Sequence, residues 1–114
     1  VPELIQRSYK HDNAAKHLLV KGKQDYAANR EGVIETIDRP VVKALEAIGG
    51  TGDMLTSIVS VLIDSGLEME KAMGLAARIN RTAGLLADPT PASQIKDIIG
   101  CLAEAYDRVI NCSN

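Results

Sequence analysis

Ala47-Ile48-Gly49-Gly50-Thr51-Gly52-Asp53 sets three glycines and a carboxylate directly ahead of the apolar run at residues 54–63. The reading of this stretch decides the fold. Glycines lack the side chain that would hold an anion away from the backbone, and a helix opening behind them presents unpaired N–H groups and the positive end of its dipole. A corner of this kind is suited to phosphate. Asp53, in the first turn of that helix, is placed to accept a proton from a substrate hydroxyl while the same amides hold the group being transferred. A plainer reading is equally compatible with the spacing: Thr51 caps the helix, Gly52 opens it and Asp53 complements the dipole.

The corner is neither a Walker loop, since no Gly-Lys-Ser/Thr follows the glycines, nor a dinucleotide fingerprint, since the G-x-G-x-x-G spacing is absent. Gly49-Gly50-Thr51-Gly52-Asp53 followed by Met54-Leu55-Thr56-Ser57-Ile58-Val59, with Leu19-Val20-Lys21-Gly22 upstream, resembles the C-terminal part of the ribokinase-like superfamily. The likeness is strongest to the branch of ATP- or ADP-dependent NAD(P)H-hydrate dehydratases and related carbohydrate kinases, and it covers residues 18–84. It implies that Gly49, Gly50, Thr51 and Gly52 cradle the terminal phosphates of ATP (or ADP), that Asp53 is the catalytic base, and that Lys21 lies near the nucleotide, with Mg²⁺ bridging the nucleotide oxygens. The implied partners are a nucleotide and a small hydroxylated substrate. Three departures stand beside the matches. Residues 39–46 carry no Gly-Asn pair, Ser57 stands where the family has Gly, and Ile79-Asn80-Arg81-Thr82-Ala83-Gly84 replaces Leu-His-Gly-x-Ala-Gly.

Three functional expectations follow. The first is a carbohydrate-type kinase that transfers phosphoryl from ATP to a hydroxyl with Asp53 as base. The second is the related lyase chemistry of an NAD(P)H-hydrate dehydratase, in which a hydrate's hydroxyl is phosphorylated and then eliminated. The third, resting on Ser57, Asn80 and Arg81 and on a missing substrate-side half, is a catalytically inactive structural or assembly module.

With 114 residues the chain is long enough for one domain with a buried core, whereas members of the resembling family are more than twice as long. The expectation is therefore the nucleotide-binding C-terminal part of a longer protein, with an exposed apolar surface and self-association into a homo-oligomer. The net charge of −2, the absence of Trp and Phe and the presence of only three Tyr argue against nucleic acid, which needs a basic stripe and stacking platforms. No apolar stretch approaches the roughly 18 residues of a membrane span and no charged, short apolar leader is present, which leads to a cytoplasmic expectation without membrane partners. Cys101 and Cys112 flank no His. If one helix joins them, eleven residues place their Cα atoms roughly 16 Å apart, too far for a disulfide.

Elsewhere the pattern predicts an α/β or α+β fold, the C-terminal half of a ribokinase-like architecture. A helix is expected over residues 3–16, a buried strand over 18–20, and a hairpin of strands 25–29 and 32–37 turning at Arg30-Glu31-Gly32. Residues 40–48 read as a loop with about one helical turn. The helix over 53–65 is apolar nearly all round and expected to be buried on several sides, with Gly66 as its left-handed stop. A second helix at 68–86 carries small residues (Gly74, Ala76, Ala77, Ala83, Gly84) for close approach to the first. A third starts at Pro91 behind a Thr90 cap and presents Ile95, Ile98, Ile99, Leu102, Tyr106, Val109 and Ile110 as one stripe. His11 and His17 read as isolated, and Asp25, Asp64 and Asp88 as ordinary surface carboxylates.

Overall fold

In the computed structural model, which describes residues 1–9 and 15–112, the elements run α1 (Pro2–Ser8), β1 (His17–Val20), β2 (Asp25–Asn29), β3 (Gly32–Ile37), a 3-10 turn (Lys43–Ala47), α2 (Thr51–Asp64), α3 (Met69–Ala87), α4 (Ile95–Ile99) and α5 (Leu102–Cys112). The fold is α+β. Its sheet has three antiparallel strands in the order β1-β2-β3. The expected hairpin forms with Arg30 and Glu31 at its turn, and the β2–β3 register slips between Ala27 and Ala28, leaving Ile34 as the extra residue.

Two strand and helix expectations need correction. β1 is half-buried along its whole length, not buried, because it is an edge strand paired only with β2. The first helix is seven residues long and stops at Tyr9, whose N–H closes the last turn on Ile5 and Gln6 carbonyls; the remainder of the expected span reaches residues 10–14 and His11, which lie outside the described residues.

α3 is the hub. It packs on α2, α4, α5 and all three strands, and Ala72, Ala76, Ala77, Ile79 and Ala83 on it are inaccessible to solvent. Enclosing Ile79 alone is worth about 1.5–3 kcal/mol. Its two glycines serve neighbours other than α2. A Cβ at Gly74 would collide with the carboxylate of Glu35, which crosses α3 there to pair with Arg78, and a Cβ at Gly84 would meet Leu45 of the 3-10 turn at 2.7 Å.

α2 buries one face through Thr51, Met54, Leu55, Ile58 and Leu62, whereas Val61 and Ile63 reach solvent. The expected burial on several sides is therefore not found. The opposite face carries Thr56, Ser57 and Ser60, whose hydroxyls donate back to the carbonyls of Gly52, Asp53 and Thr56. Gly66 (φ +107°) ends the helix as expected: the Leu67 N–H returns to the Leu62 carbonyl and the Gly66 N–H to that of Ile63, which defines a Schellman stop.

The last helical segment differs in both start and continuity. Thr90 closes a turn instead of capping a helix: its N–H donates to Ser93 Oγ and its Oγ1 accepts from the Ala92 N–H. The helix begins at Ile95, where the carboxylate of Asp97 accepts the Gln94 N–H. It breaks at Gly100, where the Cys101 N–H turns to the Ile98 carbonyl. Of the expected stripe, Ile98 and Val109 are buried while Ile99 and Ile110 are exposed. Cys101 is a free thiol. No helix among the described residues is long and apolar enough to cross a membrane.

Candidate functional site

The 3-10 turn ends at Ile48, whose buried side chain anchors the chain just before the glycines. Gly50 then takes a left-handed conformation (φ +96°, ψ −8°) that an L side chain adopts only at a cost of about 1–2 kcal/mol. It is the N-cap of α2. The first intrahelical bond runs from the Met54 N–H to the Gly50 carbonyl at 2.9 Å, and no side chain caps the helix. The N–H groups of Thr51, Gly52 and Asp53 thus have no acceptor within the described chain. The plainer reading holds for Asp53, an acidic residue of the first turn, but not for Thr51, which is the first helical residue, 4% exposed, and not the cap. A Cβ added at Gly49 or Gly52 meets nothing within 4 Å. Asp53 is exposed beside them, and its carboxylate has neither a hydrogen bond nor an ion pair among the described residues.

A cavity of about 690 Å³ lies between the β1–β2 turn, the segment after β3 and α3. Lys21 lines it, but none of Gly49, Gly50, Thr51, Gly52 or Asp53 does. The structure thus brings the five motif residues together at one helix end and puts Lys21 in a neighbouring hollow. Lys23, Arg39 and Lys43 share that hollow with Lys21, and none of the four has a carboxylate partner among the described residues. Val41, Val42 and Leu45 form its apolar wall, and Asp38 and Glu46 are its acidic members apart from the paired Asp25.

The floor of the hollow is the part that sequence reading missed. Asp25 is 2% exposed and pairs at 2.7 Å with Arg81, itself buried on α3, so it is not the ordinary surface carboxylate that the sequence suggests. The same guanidinium donates to the carbonyls of Gly22 (3.1 Å), Lys23 (2.8 Å) and Pro40 (3.3 Å), while the other oxygen of Asp25 accepts the Gly22 N–H. Arg81 therefore ties both rims of the hollow to α3. A readable signal existed: Ala77, Arg81 and Gly84 follow one another on the apolar side of a helix, and a charged residue there needs a buried partner. Next to it Asn80 is 1% exposed, and its Oδ1 has no hydrogen-bond partner among the described residues.

His17 is not isolated as expected. Its Nε2 lies 3.3 Å from Glu70 Oε2, which also accepts from the Asn29 amide at 3.1 Å. Those bonds, Asn29 first and His17 second, hold the Glu70 carboxyl below its usual range. No cluster of three or more His, Cys, Asp or Glu that could hold a metal occurs among the described residues. An ion at the glycine corner would therefore be held chiefly by nucleotide oxygens and water, an arrangement that suits Mg²⁺, which sheds its waters reluctantly and accepts one carboxylate such as Asp53.

The chain matches no family model and no solved structure. It is 43% identical over 110 residues to an uncharacterized protein of Methanocaldococcus jannaschii, covering 96% of this chain and 47% of that protein. It is 32% identical over 108 residues to the bifunctional NAD(P)H-hydrate repair enzyme of Hyperthermus butylicus, covering 90% of this chain and 20% of that enzyme. The chain thus spans about half the length of one relative and a fifth of the other. Neither relative's name supports the carbohydrate-kinase expectation. The likeness that is found, over nearly all of this chain, is to a segment of an NAD(P)H-hydrate repair enzyme.

Proposed function

We propose that this chain is the nucleotide-holding, base-bearing segment of a repair dehydratase acting on hydrated nicotinamide cofactors, with ATP or ADP as phosphoryl donor and Mg²⁺ bound through the nucleotide. The observation that carries it is the corner itself: three acceptor-free amides at Thr51, Gly52 and Asp53 and an unpaired carboxylate on the same turn, in a chain similar to part of such an enzyme. The amides stabilise negative charge on the phosphoryl group as it passes from donor to acceptor. Asp53 takes the hydroxyl proton as the hydroxyl oxygen bonds to phosphorus and the bond to the leaving nucleotide oxygen breaks. The phosphate ester so formed is a better leaving group than hydroxide. It departs as inorganic phosphate with its C–O electron pair, and loss of a neighbouring proton restores the double bond.

Calorimetric titration with ATP and Mg²⁺ tests the cradle. Binding is expected, and Gly52→Val, which puts a branched side chain into the open space before the amides, weakens it at least about tenfold. In the full-length protein, Asp53→Asn lowers the return of reduced-cofactor absorbance from its hydrate by about 10²-fold or more while nucleotide still binds. A chain that binds no nucleotide, or binds it equally well with valine at position 52, sinks the proposal and leaves the structural-module reading.

A further inference from the structure

We propose that Arg81 is a positioning residue for phosphate binding: it does not touch the anion but frames the basic rims of the hollow, holding the main chain that carries Lys21, Lys23 and Arg39; this rests on the nucleotide reading above. Four of the five N–H groups of its guanidinium are taken, by Asp25 Oδ2 and by the carbonyls of Gly22, Lys23 and Pro40. Its charge is matched by that carboxylate, which is 2% exposed. Little is left for a ligand, although Arg81 lines the cavity. Its role follows from where the carbonyls sit. Gly22 comes directly after Lys21, Lys23 is itself a rim cation, and Pro40 comes directly after Arg39.

Two segments distant in the chain thus meet on one side chain. The β1–β2 turn brings Lys21 and Lys23, the segment after β3 brings Arg39, and none of the three has a carboxylate partner among the described residues. Like charges on facing rims repel, so the rims stay together only if something else holds them. The buried pair does so from the floor, where Asp25 Oδ1 also accepts the Gly22 N–H. Cations preset in this way receive a polyphosphate without first being gathered, and the ordering that binding would otherwise require is completed on folding. Arg81 stands at the first Gly after His in the Leu-His-Gly-x-Ala-Gly pattern, a position from which glycine could build no such frame.

The test separates framing from stability. Asp25→Leu with Arg81→Met removes the frame and keeps most of the stability, as apolar substitutes for buried pairs commonly do. Arg81→Lys keeps a charge beside Asp25 but lacks the fork that reaches three carbonyls. Mg²⁺-ATP and Mg²⁺-tripolyphosphate are titrated calorimetrically into wild type, these two variants and Lys21→Ala, at a temperature where circular dichroism shows each to be folded. Both frame variants are expected to bind each probe at least about tenfold more weakly than wild type, with an unchanged dependence on added salt, because the cations that face the anion are still present. Lys21→Ala weakens binding and flattens the salt dependence. Wild-type affinity in Lys21→Ala or in either frame variant overturns the role of Arg81 and leaves the glycine corner standing. A salt dependence flattened in the double variant as much as in Lys21→Ala also overturns it, since Arg81 would then be touching the anion. If wild type binds neither probe, this proposal and the nucleotide reading fail together.

Discussion

Replacing Asp25 by alanine strips the counter-charge from a guanidinium that has almost no access to water. Asp25 and Arg81 are 2% and 8% exposed at their side chains, and their 2.7 Å contact is joined by three carbonyl acceptors and the Gly22 N–H. Removing one member of such a buried pair costs about 3–5 kcal/mol, because the other is left uncompensated in a medium that solvates it poorly. For a chain of 114 residues the unfolding entropy is about 0.24 kcal/mol per kelvin, so the melting temperature should fall by about 12–20 °C. Circular dichroism melts measure it directly. Salt should not reproduce the effect, since a buried pair is screened far less than an exposed one. The double replacement Asp25→Leu with Arg81→Met should recover more than half of the loss, as apolar substitutes for buried pairs commonly do. A fall of less than about 4 °C in Asp25→Ala, equivalent to about 1 kcal/mol, would refute the clamp as a stabilising element.

Two further perturbations probe other parts of the scaffold. Gly84→Ala pushes a methyl group onto Leu45 and should cost about 1–3 kcal/mol; in urea titrations the double variant with Leu45→Ala should be less destabilised than the two single losses summed, and strict additivity would count against the contact. Glu70, whose carboxyl is held below its usual range by Asn29 and His17, contributes stability that is present above the ordinary carboxylate pKa and is lost as pH falls through its lowered folded value. Thermal melts should therefore show wild type and Glu70→Gln differing at neutral pH and converging in acid, while a difference that persists at low pH would contradict the assignment.

The hairpin was legible because strand composition and a glycine-bearing turn are local signals: the expected strands at 25–29 and 32–37 match those found, and Gly66 stops α2 in the conformation that its position called for. The last helix starts later than Pro91 because the hydroxyls of Thr90 and Ser93 accept backbone N–H groups of Ala92 and Thr90 in a turn, a competition that propensity alone does not resolve. Burial of α2 was overstated for another reason. Apolar composition does not reveal how many neighbours a helix has, and Val61 is left 57% exposed. At the site, the glycine corner and Asp53 are named from spacing, whereas Arg81 is signalled only by its place on the apolar side of α3, and its pairing with Asp25 and with carbonyls as many as 59 residues away is not legible in the chain. Resemblance implies that Lys21 lies near the nucleotide, and the fold sets it in the hollow that none of residues 49–53 lines.

Gly50 has a second neighbour besides the helix it opens: a Cβ there would come within 3.2 Å of Ile95, the first residue of α4. Ile95 therefore packs directly behind the glycine corner. Segment 88–94, which delivers Ile95 to that spot, can change in sequence but not freely in length, since an insertion that moves Ile95 off its seat uncovers the glycine from behind. Shortening segment 88–94 would thus disturb the glycine corner without altering any of residues 49–53.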